Sequence, residues 1–180
     1  DGSEYSPGEI IRNKELAQTF KIISQQGSKA FYNGVIGDQI VRTVQSSRVN
    51  PGLMEESDLV RYKVKERTPV CLPYRDYKIC GMGPPSSGGL TVGLILGILE
   101  NSQIKDIGRG VEGMHLFIEA SKLAYADRNL YIADSDFVAV PSQGLMDKGY
   151  LKKRFAKISR TPIEQAEPGS PPGSEELLRQ

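Results

Sequence analysis

Between Met82 and Glu100 the chain reads Met-Gly-Pro-Pro-Ser-Ser-Gly-Gly and then a run, Leu90 to Leu99, with no charged residue in it. A helix that is apolar on nearly every face must be buried on nearly every face, so this segment belongs inside a layered core. It is too short to cross a bilayer, which takes about 20 apolar residues. Gly93 and Gly97 fall four apart on one face, which predicts a neighbouring element packed there at short distance. Ahead of the helix, two prolines stiffen the chain, Ser86 or Ser87 can serve as N-cap, and Gly88 and Gly89 let another backbone or a ligand come close. Such a loop is built to sit against something.

The 180 residues suffice for one core, and length alone favours a single domain. With 23 basic and 22 acidic residues, the net charge of +1 points to no nucleic acid and no anionic membrane as partner. No segment is long enough for a membrane span. No signal peptide is present either, but the first residue is Asp1, so a targeting segment could have been removed or could lie upstream.

In chain order, Asp1 to Gly8 reads as an extended entry. Asn13 is an N-cap for a helix to about Gln26, with Leu16, Phe20 and Ile23 on one face and Gly27 ending it. Lys29 to Val44 continues helically around a break at Tyr32-Asn33-Gly34, giving a helical hairpin that core packing explains. Asn50-Pro51-Gly52 is a loop, and Glu55 to Val60 a short helix. Strands follow at Arg61 to Val64, Thr68 to Leu72 and Tyr77 to Gly81, with Pro69 and Pro73 marking an edge or a bulge. A two-residue turn at Arg75-Asp76 would place Cys71 opposite Cys80 in a non-hydrogen-bonded pair, where side chains lie closest. A Cys71–Cys80 disulfide, and with it an oxidising compartment, is then expected; another turn length would leave two buried thiols.

Past the apolar helix, Asn101 to Gly110 reads as a loop and Val111 to about Tyr131 as a long helix. Its inner side is assigned to Met114, Phe117, Ile118 and Tyr125, and its polar stripe to Glu112, His115, Glu119 and Lys122. A loop from Ala133 to Pro141 leads to a basic helix from about Asp147 to Ile158. From Thr161 the chain is rich in Pro, Gly, Ser and Glu and reads as a flexible tail, residues 161–180.

His115 is the sole histidine, so any Ser-His relay must pair it with Ser86 or Ser87. Its place on a charged stripe favours solvation or an ion pair with Glu112 or Glu119 instead. Glu112 and His115 have the spacing of half a di-iron site, but no second such motif exists, and no metal is expected. Asp127 with Arg128, and Asp134 with Asp136, could form an acid-base or cation site; at a helix-to-loop junction, capping and mutual pairing is the favoured reading. The Gly-rich loop could cradle a phosphate, yet it has neither the lysine of a P-loop nor dinucleotide-type glycine spacing.

Pro84-Pro85-Ser86-Ser87-Gly88-Gly89, followed by an apolar helix ending Ile98-Leu99-Glu100, resembles the large subunit of bacterial gamma-glutamyltranspeptidases, a family of N-terminal-nucleophile hydrolases. Further stretches fit in the same order: Asn13-Lys14-Glu15-Leu16-Ala17 with Ala30-Phe31-Tyr32-Asn33-Gly34; Ser57-Asp58-Leu59 with Tyr62; and Glu119-Ala120 through Ala124-Tyr125-Ala126-Asp127-Arg128, with Asp134-Ser135-Asp136-Phe137 and Val140-Pro141. Ala133 and Ser135 depart from the family's Gly-Asp-Pro-Asp-Phe, and Asp76 stands where its hairpin commonly has glycine.

The resemblance implies an α+β segment, mostly helical with a few antiparallel strands, from an αββα hydrolase, with residues 1–160 as the later half of a large subunit. The whole enzyme would cleave or transfer the gamma-glutamyl group of glutathione and related compounds through an acyl-enzyme, with no cofactor and no metal. Its nucleophilic threonine would begin a small subunit beyond Gln180, its carboxylate-binding arginine would lie upstream of Asp1, and both pieces would be partners of this chain. On that reading the chain holds no catalytic residue and is inert alone. Pro84, Pro85, Ser86, Ser87, Gly88 and Gly89 form one wall of the pocket at most, and the location is periplasmic or secreted. The rival expectations are a non-catalytic interaction domain on the same framework and a cephalosporin-acylase-like enzyme.

Overall fold

The computed structural model describes residues 4–104, 108 and 110–174. Although length alone favours one domain, the chain divides into two compact units, Asp1–Lys65 and Glu66–Gln180.

The first unit is helical: α1 (Lys14–Gln26), α2 (Lys29–Tyr32), α3 (Val35–Gln45) and α4 (Glu56–Arg61). Asn13 caps α1 as expected, its side chain accepting from the Leu16 amide at 2.8 Å, and Gly27 ends it at φ 65°. The break at Tyr32-Asn33-Gly34 falls between α2 and α3. There Gly37 approaches so closely that a Cβ would stand 2.6 Å from the Phe31 carbonyl oxygen. A capping box, Glu55 with Asp58, starts α4. The core of this unit is small, with Ala30, Ile36, Val41 and Leu59 as its buried apolar residues.

Two expectations are corrected in this unit. The hairpin packing proposed for Leu16 and Phe20 is absent, because both are exposed and α1 buries no residue. Arg61 to Val64 is no strand: Arg61 closes α4 and pairs with Asp58 one turn back at 3.0 Å, and the Tyr62 ring stacks on Tyr32 at 5.3 Å.

In the second unit β1 (Val70–Tyr74) and β2 (Tyr77–Gly81) form an antiparallel hairpin, followed by α5 (Gly88–Leu99), α6 (Val111–Tyr131), α7 (Ser142–Leu145) and α8 (Lys148–Phe155). The turn is the two-residue one, Arg75-Asp76, with Arg75 at φ 53°. Cys71 therefore pairs with Cys80, their Cα atoms 4.1 Å apart, and the disulfide is formed.

Helix α5 is the hub, packed against both strands, α6, α7 and α8. Leu90, Leu94 and Ile98 are wholly buried, each contributing roughly 1.5–3 kcal/mol by leaving water. The two glycines work as their spacing suggests. A Cβ on Gly93 would stand 2.6 Å from the Met146 methyl and one on Gly97 2.6 Å from a Leu151 methyl, so both neighbours fill the notch.

Helix α6 reverses its expected orientation. Ala120, Leu123, Ala124 and Tyr131 join the core, while Met114, Phe117, Ile118 and Tyr125 stand about half exposed. Small alanines let α6 lie close against α5, so the face with the least apolar bulk is the one turned inward.

Residues 161–174 form no loose tail. Their backbone is tied to α6 and α8, and Pro171 and Ser174 are fully buried. Residues 175–180 lie outside the described residues, as do 105–107 and 109 of the expected loop Asn101–Gly110.

Candidate functional site

The Pro-Pro-Ser-Ser-Gly-Gly loop leaves the hairpin at Gly81 and enters α5 at Gly88. Its base is held by backbone proximity: a Cβ on Gly81 would stand 2.7 Å from the Gly89 Cα, and one on Gly89 2.5 Å from the Met82 carbonyl oxygen. Only glycine permits that approach. Pro84 is buried, the Pro84–Pro85 peptide is cis, and Ser86 closes a turn on the Gly83 carbonyl at 3.1 Å. Pro85, Ser86 and Gly88 face solvent. The loop is thus rigid at its root and open at its tip.

Neither serine caps α5 through its side chain, which corrects the expected N-cap. The Ser87 carbonyl accepts instead from the Thr91 amide at 2.9 Å and the Thr91 hydroxyl at 2.8 Å. The Ser87 hydroxyl is left to accept from Arg128 Nε at 3.3 Å. This joins the loop to the far end of α6.

The sequence candidates for chemistry are dispersed. The His115 Nε2 lies 2.7 Å from the Ser159 carbonyl, and since a carbonyl can only accept, that nitrogen carries the proton. Neither Ser86 nor Ser87 has a histidine partner among the described residues. Glu112 is exposed, and no group of three or more His, Cys, Asp or Glu side chains converges among the described residues. Asp127 and Arg128 do not pair with each other, nor do Asp134 and Asp136 form a site between them. Arg67 reaches Asp136 at 2.6 Å and Asp134 at 3.8 Å, pinning the loop after α6.

A second group was hidden by its charge. Asp127 and Arg154 are buried together, Asp127 Oδ1 standing 3.0 Å from the Arg154 guanidinium. The same oxygen accepts from the Gly169 amide at 2.8 Å, and the Tyr131 hydroxyl donates to the Gly169 carbonyl at 2.6 Å. Arg154 also donates to the Leu123 and Glu167 carbonyls, at 3.0 and 2.9 Å. Two turns earlier on α6, buried Glu119 accepts from the Ile163 amide at 2.7 Å, and Lys122 donates both to Glu119 at 2.8 Å and to the Ile163 carbonyl at 2.7 Å.

Burial pushes the Asp127 carboxyl up, against the opposing pull of the Gly169 amide and Arg154. Burial also raises Tyr150, reinforced by the adjacent Asp127. For Glu119 burial again works upward, but Lys122, the Ile163 amide and His115 outweigh it and hold the carboxyl below its ordinary range. Sequence reasoning placed Glu119 on a solvated stripe and passed over Tyr131 and Arg154. The signal it could have used is a charged residue, Asp127, recurring at core spacing with Ala120, Ala124 and Tyr131.

The family described as Gamma-glutamyltranspeptidase matches residues 1–176. A glutathione hydrolase proenzyme of Escherichia coli (strain K12) is 40% identical over 171 residues, covering 94% of this chain and 28% of the relative. The acylase ACY 1 proenzyme of Pseudomonas sp. (strain V22) is 37% identical over 166 residues, covering 92% of this chain and 29% of the relative. Among solved structures, the gamma-glutamyltranspeptidase of Helicobacter pylori superposes with a TM-score of 0.74 at 39% identity, covering 92% of this chain and 48% of that one. The chain therefore spans under a third of the length of these curated relatives.

Proposed function

Since the chain belongs to the gamma-glutamyltranspeptidase family, we propose that it serves as the later part of the large subunit of an enzyme that cleaves or transfers the gamma-glutamyl group of glutathione and related compounds. The family match over residues 1–176 carries this reading. Residues 1–160 supply the framework, and 161–174 close over α6 and α8. The acyl-enzyme forms on a small-subunit threonine that this chain does not contain, and the upstream half and the small subunit are its partners. The exposed apolar face of α6, above a hollow of about 360 Å³ bordered by Phe117, Ile118, Ser121, Lys122 and Tyr125, suits a chain that works in company.

The Pro84–Gly89 loop acts as a wall of the substrate pocket or of the subunit seam and performs no chemistry. A periplasmic or secreted location fits the Cys71–Cys80 disulfide, since such bonds persist in oxidising compartments. No helix among the described residues is long and apolar enough to cross a membrane. Alkylation should label neither cysteine before reduction and both after it; two labelled thiols in untreated material would remove that support.

The test of function is turnover of a chromogenic gamma-glutamyl anilide. We expect none from this chain alone, and turnover when the upstream half and the small subunit are co-expressed with it. Turnover by the chain alone would overturn the placement of the chemistry. The 37% identity to an acylase proenzyme supports a second reading, an amide hydrolase of the acylase type, which a panel of cephalosporin side-chain amides would separate from the first.

A further inference from the structure

Several polar side chains of α6 and α8 converge on one irregular segment. Ile163 has its N–H accepted by Glu119 at 2.7 Å and its C=O bonded by Lys122 at 2.7 Å. Gly169 has its N–H accepted by Asp127 at 2.8 Å and its C=O bonded by Tyr131 at 2.6 Å. Each grip takes both backbone groups of a single residue, as a neighbouring strand would, and Arg154 adds the Glu167 carbonyl between them. Backbone grips do not read sequence, but sterics set the register. A Cβ on Gly169 would stand 2.5 Å from the Tyr150 hydroxyl oxygen, and one on Gly144 would collide with the Pro172 carbonyl. These contacts oppose a one-residue slip of residues 161–174, and Ser174, fully buried, is the last described residue of the segment.

We propose that this double clamp fixes where the chain emerges at Ser174, so that Glu119, Lys122, Asp127, Tyr131 and Arg154 are positioning residues for proenzyme self-cleavage. The inference rests on the reading above, in which a threonine downstream of Gln180 becomes a new N-terminus. In that step the threonine hydroxyl attacks the preceding carbonyl, the C–N bond breaks as the amine takes up the proton, and water then splits the ester to a carboxylate and the free hydroxyl. A reaction at one peptide bond, dependent on one hydroxyl, needs the chain delivered in register.

The experiment uses the full-length precursor. Tyr131→Phe keeps the ring in the core and removes only the bond to Gly169; Glu119→Gln turns an amide donor towards the Ile163 N–H or the Lys122 ammonium. Cleavage is followed on gels, and the new N-terminus by mass. We expect self-cleavage to slow about tenfold in Tyr131→Phe and about a hundredfold in the double variant, each lost bond counting as one buried hydrogen bond. The same substitutions are made in an enzyme assembled from separately encoded pieces that needs no cleavage. There kcat and KM should be unchanged, which a general structural role would not allow.

Cleavage at the wild-type rate in both variants would overturn the proposal, and so would parallel losses in cleavage and in the pre-cut enzyme. Should the double variant fail to fold, Tyr131→Phe alone decides by the same two readouts. A wild-type precursor that stays whole under conditions where the pre-cut enzyme is active would overturn the self-processing reading and the clamp with it.

Discussion

Helices α5 and α6 lie side by side and bury opposite kinds of residue. In α5 the apolar side chains go inward because little else is available, and composition alone locates it in the core. In α6 the inward face holds Ala120, Leu123 and Ala124 together with Glu119 and Asp127, while Met114, Phe117, Ile118 and Tyr125 turn outward. The difference teaches that burial follows what the neighbour requires. Facing α5, alanine permits close packing; facing residues 161–174, which have no secondary structure of their own, a carboxylate or hydroxyl satisfies backbone N–H and C=O groups that the contact partly shields from water.

The largest effect that could break this comparison is at Asp127. Asp127→Ala leaves the Arg154 guanidinium buried without its counter-charge, and should cost about 3–5 kcal/mol in urea unfolding of the assembled protein. A cost below about 1 kcal/mol, that of an exposed ion pair, would mean that the pair is solvated and α6 does not bury charge.

Next come the apolar residues of the two helices. Leu94→Ala on α5 should cost about 3 kcal/mol, because Leu94 is fully enclosed. Phe117→Ala on α6 should cost at most about 0.5 kcal/mol in this chain by itself, because half of the ring already meets water. Comparing the Phe117 variant with and without the companion segments sharpens the contrast: a penalty that appears only in the assembly identifies this face as one the partners cover.

How much of this could be read from the residues divides along the same line. Asn13, Gly27, Gly93, Gly97 and the Cys71–Cys80 register act through local geometry, and local geometry is written in spacing. The inner face of α6 was misread because bulk and hydrophobicity pick out Phe117 and Ile118, whereas the packing partner picks out Ala120 and Ala124. Ser87 does not cap with its side chain because its backbone is already helical, φ −87° and ψ −16°, and its hydroxyl accepts from Arg128 instead. Residues 161–174 have the composition of a tail. Their order comes from groups up to 44 positions away, such as Glu119 for Ile163, and no local pattern records that.

A smaller effect lies in acid. The Glu119 carboxyl is held below its ordinary value of 4.5, so its contribution is fully present above that value and is lost as pH falls through the depressed one. Burial raises Asp127 above its ordinary 3.8, so the proton it binds acts with the opposite sign, favouring the fold below that value and ceasing to do so as pH rises through the raised one; what Asp127→Ala removes at neutral pH is the ion pair with Arg154. Urea midpoints followed from neutral pH into acid should therefore show a shallower acid loss in Glu119→Gln than in wild type. An unchanged acid limb would place Glu119 in solvent, on the stripe where composition puts it.

The claim on which the contrast depends is that the buried polar groups of α6 exist to hold the backbone of residues 161–174. Amide hydrogen exchange at Ile163 and Gly169 tests it without mutation, since their N–H groups are the ones accepted by Glu119 and Asp127. The account predicts slow exchange at both amides, comparable to that of the core helices. Exchange at both amides as fast as in an unstructured peptide would contradict it, and would restore the flexible tail that composition suggests.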